Sequence, residues 1–214
     1  MTKNDNRYVA LLCDAVASRR LAPRARARLQ EELRSALPEL NRTWRSQLVG
    51  RFAITGGDQL ECLLDGPHLV WEIAHGVRSK FPDVDWVIAC GRGGLSTLPH
   101  PRATAPELDG PCFHAARATL ESAKAKRLVF AFGGFGPRVD ALAAYYSALF
   151  WSWTPRQRRT AAELRWQGGG PSRDDLSERF GVHPTAVSHM KRRLAWPLVA
   201  AGDTMFQAAL REAS

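Results

Sequence analysis

The sequence lacks the features that mark several large classes of protein. Its four cysteines are Cys13, Cys62, Cys90 and Cys112. None of them lies in a CxxC pair, and the six histidines show no zinc spacing. We therefore expect reduced, buried thiols in a cytoplasmic protein. No apolar run reaches about 18 residues, and the N-terminal one is too short for a signal peptide, so we expect no membrane partner.

Acidic residues are scarce relative to basic ones. The chain of 214 residues has 30 Lys and Arg against 21 Asp and Glu, a formal net charge of +9. The basic excess is denser in residues 151–214 than in residues 1–150. A basic surface favours a phosphate-bearing partner such as DNA. With 45% hydrophobic residues there is enough core material, and we divide the chain into domains at 1–150 and 151–214.

Residues 172–194 have the pattern of a helix-turn-helix. Gly181 separates two short segments with helical periodicity and is suited to a left-handed turn. Pro184 lies near the start of the second helix, where its missing N–H costs nothing. The apolar positions of the two segments are Leu176, Phe180, Val182, Val187, Met190 and Leu194.

The second of these helices exposes a short polar and basic face, as a DNA major groove requires. The predicted DNA-binding residues are Arg173, Thr185, Ser188, His189, Lys191, Arg192 and Arg193. DNA is therefore the expected partner. The alternative is a small helical domain that serves packing or dimerisation.

Capping signals support a run of consecutive helices. Thr154 and Gln157 match a capping box that opens a helix running to about residue 167, and Ser172 with Asp175 repeats the pattern. A last helix is predicted over residues 196–213, with no β-hairpin wing before it. This arrangement resembles the helix-turn-helix of sigma-factor region 4 and of response-regulator output domains.

The first 150 residues alternate between short apolar runs and amphipathic segments. Strands are predicted at 8–13, 48–54, 60–64, 86–91 and 128–132. Helices are predicted at 23–44, 67–81, 112–126 and 139–151. This order is that of a ferredoxin-like α+β domain with a βαββαβ core. The predicted fold class is therefore α+β, followed by an all-α helix-turn-helix domain.

Two acidic residues stand out by their location in this order. Asp14 follows the first strand, and Asp58 lies in the tight turn between strands two and three. Because strand three should pair antiparallel with strand one, both carboxylates should lie at one edge of the sheet. Two close carboxylates repel unless a cation bridges them, and Mg²⁺ is suited to that role. The alternative is that each is an ordinary turn or cap residue.

Three segments resemble known nucleotide cyclases. FAITGGDQLECLL at residues 52–64 looks like the GGDEF hairpin of diguanylate cyclases and the matching hairpin of class III cyclases. Residues 10–19, ALLCDAVASR, resemble the metal-binding first strand of these cyclases. Residues 109–117, DGPCFHAAR, are similar to a helix of class III cyclases. Over most of residues 8–194 the chain resembles the SatD family of bacteria, whose members combine a cyclase-like unit with a C-terminal helix-turn-helix.

The resemblance implies a nucleotide site at the sheet edge. Its implied metal ligands are Asp14 and Asp58, with Mg²⁺ as the cofactor. Its implied nucleotide-binding residues are Ser18, Arg19, Gly56, Gly57, Arg92 and Arg117. The arginines would meet phosphate oxygens, or they are ordinary surface arginines. A flexible turn is expected at residues 91–94, where glycines would let the backbone approach a ligand.

Departures from the cyclase pattern bear on the activity. Gln59 and Leu60 replace the acidic and aromatic residues of the GGDEF signature, and Phe113 stands where class III cyclases have an asparagine. These losses favour a cytoplasmic DNA-binding regulator that senses a nucleotide. The alternative is a Mg²⁺-dependent nucleotidyl-transfer enzyme with a nucleic-acid-binding tail. A third, weaker interpretation is a structural module that forms a homodimer.

Overall fold

One five-stranded sheet and eight α-helices form a mixed α/β fold in the residues that the computed structural model describes, which are 7–16, 18, 21–165 and 173–213. The strands are β1 (Tyr8–Ala15), β2 (Leu48–Thr55), β3 (Gln59–Leu64), β4 (Trp86–Gly93) and β5 (Phe130–Gly133). The helices are α1 (Pro23–Thr43), α2 (Val70–Lys80), α3 (Pro111–Lys126), α4 (Pro137–Ser152), α5 (Pro155–Arg165), α6 (Arg173–Phe180), α7 (Pro184–Arg193) and α8 (Trp196–Glu212). Within these ranges no helix combines the length and the apolarity that crossing a membrane requires.

The sheet has β1 near its centre, in the strand order β2-β3-β1-β4-β5. β1 pairs antiparallel with both β3 and β4, whereas β4 and β5 are parallel. A strand that is covered on both faces reads as a nearly continuous apolar run, and the sequence YVALLCDA of β1 has this character. The predicted antiparallel pairing of strands one and three is confirmed.

The two faces of the sheet are covered by different helices. Leu11 and Cys13 of β1 pack in the larger cluster, together with buried residues of α1 and α2. Ala10 and Leu12 point to the other face and pack in a second cluster with α3. All four cysteines are buried and free, as the sequence predicted, because each fills a core position on one of these faces or on α3.

Two glycines of β4 let α3 lie unusually close to the sheet. A Cβ atom on Gly91 would overlap the backbone of Cys112 and Ala116, and one on Gly93 would lie 2.7 Å from the backbone nitrogen of Cys112. The expectation of a flexible turn over residues 91–94 is wrong at Gly91 and Gly93, because β4 extends through both of them. These glycines admit a helix backbone instead of a ligand.

The C-terminal helices pack onto the sheet layer through α2. The ring of Trp71 stacks on Phe206 of α8, with centroids 3.9 Å apart and planes inclined by 8°. Its indole N–H donates to Asp203 at 3.0 Å, and its backbone N–H donates to the Gln207 side chain at 3.0 Å. Buried residues of α8, including Leu210, therefore belong to the same continuous hydrophobic cluster as β1.

A buried cation lies inside this shared cluster. Arg78 of α2 is 6% exposed. Its guanidinium lies over the rings of Phe130 and Phe150, 5.1 and 4.5 Å from their centroids. It donates a 2.7 Å hydrogen bond to the carbonyl of Trp86. Burial lowers the pKa of Arg78 to about 10, so the side chain stays charged at neutral pH and is stabilised by the ring faces.

His75 makes the stability of the fold depend on pH. Burial, followed by the nearby charges of Arg165 and Arg78, holds the pKa of His75 well below its ordinary value of 6.5. The edge of its ring also meets Tyr146 of α4. A histidine that must stay neutral stabilises the fold above the unfolded-state pKa, and that contribution is lost as the pH falls below it.

We therefore expect the free energy of unfolding to decrease as the pH is lowered from about 6.5, by at most about 1.4 kcal/mol per pH unit. Urea unfolding measured at a series of pH values tests this. His75→Phe should flatten this dependence, whereas His114→Phe, which changes an exposed histidine, should keep it. An equal slope in wild type and His75→Phe would contradict the assignment.

Candidate functional site

The β2–β3 hairpin brings Asp58 to the end of β1. Gly56 and Gly57 have φ values of +60° and +89°, which glycine adopts without strain, and with Asp58 they form the short loop between Thr55 and Gln59, which pair with each other. The backbone N–H of Ala15 donates to the carbonyl of Asp58 at 3.4 Å, and Asp14 lies opposite Gln59 in the register of β1 and β3. The two acidic residues thus lie at one edge of the sheet, as the strand order predicted.

Asp14 has a cationic partner that the sequence analysis missed. The Nζ atom of Lys124, in the last turn of α3, lies 3.2 Å from its carboxylate. Asp14 is only partly exposed, and burial raises its pKa despite the opposing effect of Lys124, with a further contribution from the negative charge of Asp58. The carboxylates are therefore close enough to influence each other electrostatically, and Lys124 offsets part of their repulsion.

Ser18 and Asp58 form the second contact of this edge. The hydroxyl of Ser18 donates to the carboxylate of Asp58. Among the residues that the structure describes, no group of three or more His, Cys, Asp or Glu is arranged to hold a metal ion. Two carboxylates and a hydroxyl still match the hard oxygen ligands of Mg²⁺, which commonly completes its shell with water and phosphate oxygens.

Glu61 is a buried acid beside this edge that sequence reasoning passed over. Its side chain accepts a 2.9 Å hydrogen bond from the hydroxyl of Thr55, and the residue is only 5% exposed. The sequence held a signal for it, because Glu61 interrupts an otherwise apolar strand. A single acid in such a run indicates a polar partner nearby.

Arg92, one of the predicted phosphate-binding arginines, does not lie at the Asp14 site. Arg92 lies opposite Val9, five positions along β1 from Asp14, or about 17 Å at the usual rise of a strand. Its guanidinium donates to the carbonyl of Ala213, just after α8, where a cation complements the helix dipole. Arg92 is therefore not part of the Asp14 site, and Arg19 lies outside the described residues.

Arg117 lies over the ring of Phe113, with its guanidinium 5.9 Å from the ring centroid, and within the described residues no contact joins it to Asp14. It is exposed on α3, seven residues before Lys124, which is about 10 Å along a helix. Residues seven apart lie on nearly the same helix face. Phe113, one turn before Arg117, is fully buried against the sheet. Phe113, which the resemblance to class III cyclases aligned with their asparagine, is thus a core residue.

The helices after the sheet expose one polar face of α7. Thr185, His189, Arg192 and Arg193 are exposed. Val187 and Leu194 are buried in the shared cluster and fix which face of α7 points outward. Ser188 and Lys191 are partly exposed, and the side chain of Arg173 lies outside the described residues.

The local signals that predicted these helices are present. Thr154 and Gln157 form a reciprocal capping box, with Gln157 N–H donating to the Thr154 hydroxyl at 3.3 Å and Thr154 N–H to the Gln157 side chain at 2.9 Å. Gly181 has φ +59°, and the N–H of Val182 donates to the carbonyl of Ser177 at 2.9 Å. The predicted cap at Ser172 lies outside the described residues.

Comparison with known proteins identifies the family of the chain. The sequence model of the SatD family matches residues 8–128, more than half of the chain. The match runs from β1 through α3 and so contains Asp14, Asp58 and Lys124. It ends before β5 and the C-terminal helices, and is shorter than the resemblance over residues 8–194 suggested. A search of curated proteins found no match. The chain therefore belongs to the SatD family.

Proposed function

We propose that this protein is a DNA-binding regulator, with a cyclase-like ferredoxin fold before a C-terminal helix-turn-helix. The observation that carries the proposal is one face of α7, on which Thr185, His189, Arg192 and Arg193 are all exposed. Hydroxyl, imidazole and guanidinium groups are the side-chain types that read base edges and contact phosphates in the major groove.

The packing of α6 and α7 supports this reading of the helices. Leu176 of α6 is fully buried with Val187 and Leu194, so the two helices share a small core around the Gly181 turn. That core leaves the polar side of α7 pointing outward.

Substitutions on α7 provide the test. We expect Arg192→Ala and His189→Ala each to weaken specific DNA binding by about 1–3 kcal/mol if they contact base edges. Lys191→Ala should weaken binding to all sequences alike if it contacts phosphate, and binding should weaken steeply with rising salt. Gel shifts and fluorescence anisotropy with genomic fragments measure both effects.

A charge-matched control separates these effects from the loss of net charge. Arg24→Ala removes one positive charge from an exposed position of α1 and should leave sequence preference unchanged. Absence of any retained DNA fragment at low salt would reject the DNA-binding role, whatever the variants do.

We further propose that the sheet edge binds a nucleotide as its magnesium complex. Asp14, Asp58 and Ser18 would hold the metal, and Arg117 would face the phosphates. The open hairpin supports this, because a Cβ on Gly56 would meet nothing within 4 Å and the turn can approach a ligand closely. Bound Mg²⁺ would supply positive charge between carboxylates and phosphates.

Lys124 gives this proposal an unusual test. Because its ammonium group already pairs with Asp14 at 3.2 Å, it should compete with a metal cation for that carboxylate. Asp14→Asn should abolish Mg²⁺-dependent nucleotide binding, whereas Lys124→Gln should strengthen the binding of Mg²⁺. Isothermal titration with ATP and GTP, with and without Mg²⁺, measures both. Asp140→Asn, which changes an exposed acid on α4, serves as the control. Nucleotide affinity that is independent of Mg²⁺ in every variant would refute the site.

The enzyme alternative rests on the shared edge of Asp14 and Asp58. The burial of Phe113 argues against it, since a core phenylalanine cannot supply the positioning group of class III cyclases, and such groups are worth about 10²–10³ in rate. We expect little cyclic nucleotide from ATP or GTP. Chromatography of the products decides the matter, and turnover that disappears in Asp14→Ala would favour the enzyme.

A further inference from the structure

A large cleft opens beside the junction of α2 with the C-terminal helices. It lies between the end of α1, α2, the end of α5 and α8, and encloses about 840 Å³. Small-molecule sites usually occupy about 300–1,000 Å³ and often lie between structural units. The cleft is on the α2 side of the sheet, whereas Asp14 and Lys124 lie on the α3 side, so the two sites are distinct.

Two tryptophans give the cleft flat, apolar walls. Trp44 and Trp196 line it and are each half-buried, so part of each ring remains accessible. The Trp44 ring lies directly over Gly76, where an added Cβ would come within 3.1 Å of it. Trp71 also lines the cleft, but one face of its ring is already covered by Phe206. The guanidinium of Arg165 lies over the Trp196 ring, 5.5 Å from its centroid. Each of the three rings thus has one face covered, and a planar aromatic ligand would stack on an opposite face.

The cleft wall also contains polar atoms without a partner. His75 Nε2 and Trp44 Nε1 are buried and have no hydrogen-bond partner among the described residues. By contrast, Asp203 is engaged by Arg165 and Trp71. A ligand with hydrogen-bonding atoms in the plane of its ring could pair with these two nitrogens.

The charges of the lining residues limit the charge of the ligand. Glu72 and Asp203 balance Arg165 and Arg211, and the acid and base deepest in the cleft, Asp203 and Arg165, pair with each other at 2.7 Å. No excess of positive charge is left for a phosphate. Exposed Glu72 and Thr204 instead offer a carboxylate and a hydroxyl, which suit the hydroxyl groups of a sugar.

We propose that this cleft binds a neutral purine nucleoside, its base stacked against the tryptophan walls and its ribose facing Glu72 and Thr204. The proposal does not depend on the DNA-binding role or on the magnesium site. Because the cleft is built from α2 on one side and α5 and α8 on the other, a bound nucleoside would hold the C-terminal helices against the sheet layer and raise the thermal stability of the whole chain.

The full chain is titrated with adenosine and guanosine in EDTA, by calorimetry and by quenching of tryptophan fluorescence. We expect at least one of them to bind without Mg²⁺, to quench the emission and to raise the melting temperature. AMP and GMP, which add a charged phosphate, should bind at least tenfold more weakly than the matching nucleoside. Absence of binding by both nucleosides at millimolar concentration would overturn the proposal.

Matched variants on α8 locate the site. Ala208→Phe fills the cleft and should abolish nucleoside binding, whereas Ala201→Phe, at an exposed position of the same helix that does not line the cleft, should not. His75→Phe keeps a ring but removes Nε2 and should weaken nucleoside binding at least tenfold. This second variant tests the site even if Ala208→Phe does not fold. Binding that survives both Ala208→Phe and His75→Phe, or that is lost in Asp14→Asn, would refute the assignment.

Discussion

Replacing Trp71 with alanine is expected to lower the free energy of unfolding by about 3–5 kcal/mol, the usual cost of truncating a buried tryptophan. Trp71 is 3% exposed. Its ring contacts the strand residue Phe130, Tyr146 of α4 and Phe206 of α8. Truncation would therefore leave a cavity at the point where three layers of the fold meet, and would leave Asp203 without one of its two donors.

Chemical denaturation followed by circular dichroism measures this effect. Leu198→Ala is the control. Leu198 lies on α8 and is 75% exposed, so its truncation should change the free energy of unfolding by no more than about 0.5 kcal/mol. Because one hydrophobic cluster runs from β1 to α8, wild type should unfold in a single transition. A mild effect of Trp71→Ala, or separate transitions for the sheet and the helices, would contradict the packing described.

Gly91→Ala is the second change with a large expected effect. The added methyl group would overlap backbone atoms of Cys112 and Ala116, and a backbone cannot rotate away as a side chain can. We expect a loss of stability at or above the upper end of the usual overpacking cost of about 1–3 kcal/mol. The whole of α3, with Lys124 at its end, would have to move away from β4.

Gly202→Ala is the matched comparison for that variant. Gly202 lies in the interior of α8, and a Cβ there would meet nothing within 4 Å. The same chemical change should therefore stabilise the protein by about 0.5–1 kcal/mol, since alanine favours the helix. Thermal melts of the two variants side by side test whether close approach, and not glycine content, decides the outcome. Equal effects of the two substitutions would be inconsistent with the structure.

Local signals in the sequence predicted most of the elements. The Thr154–Gln157 box marked the start of α5, and Gly181 marked the turn between α6 and α7, because each acts through neighbouring residues. The prediction that Asp14 and Asp58 lie at the same edge of the sheet came from the order of the strands alone. A tight glycine turn and antiparallel pairing leave few other arrangements.

Contacts between distant residues were beyond this kind of reasoning. Nothing near Lys124 in the sequence points to Asp14, and nothing near Arg92 points to the end of α8. Gly91 and Gly93 gave the same local signal that a ligand-binding turn would give. Their actual neighbour, α3, is set by how the helix crosses the sheet, which depends on the packing of the complete core.

The stacking of α8 on Trp71 also has a consequence for synthesis on the ribosome. Asp203 lies 132 residues after Trp71 in the chain, and a ribosome adds about 5–20 residues per second. Phe206 follows Asp203 by three residues, so for roughly 7–27 seconds after it is made the Trp71 ring has no Phe206 to cover it. During that interval the nascent chain presents an indole that chaperones or other nascent chains can bind, and the emergence of α8 ends this exposure.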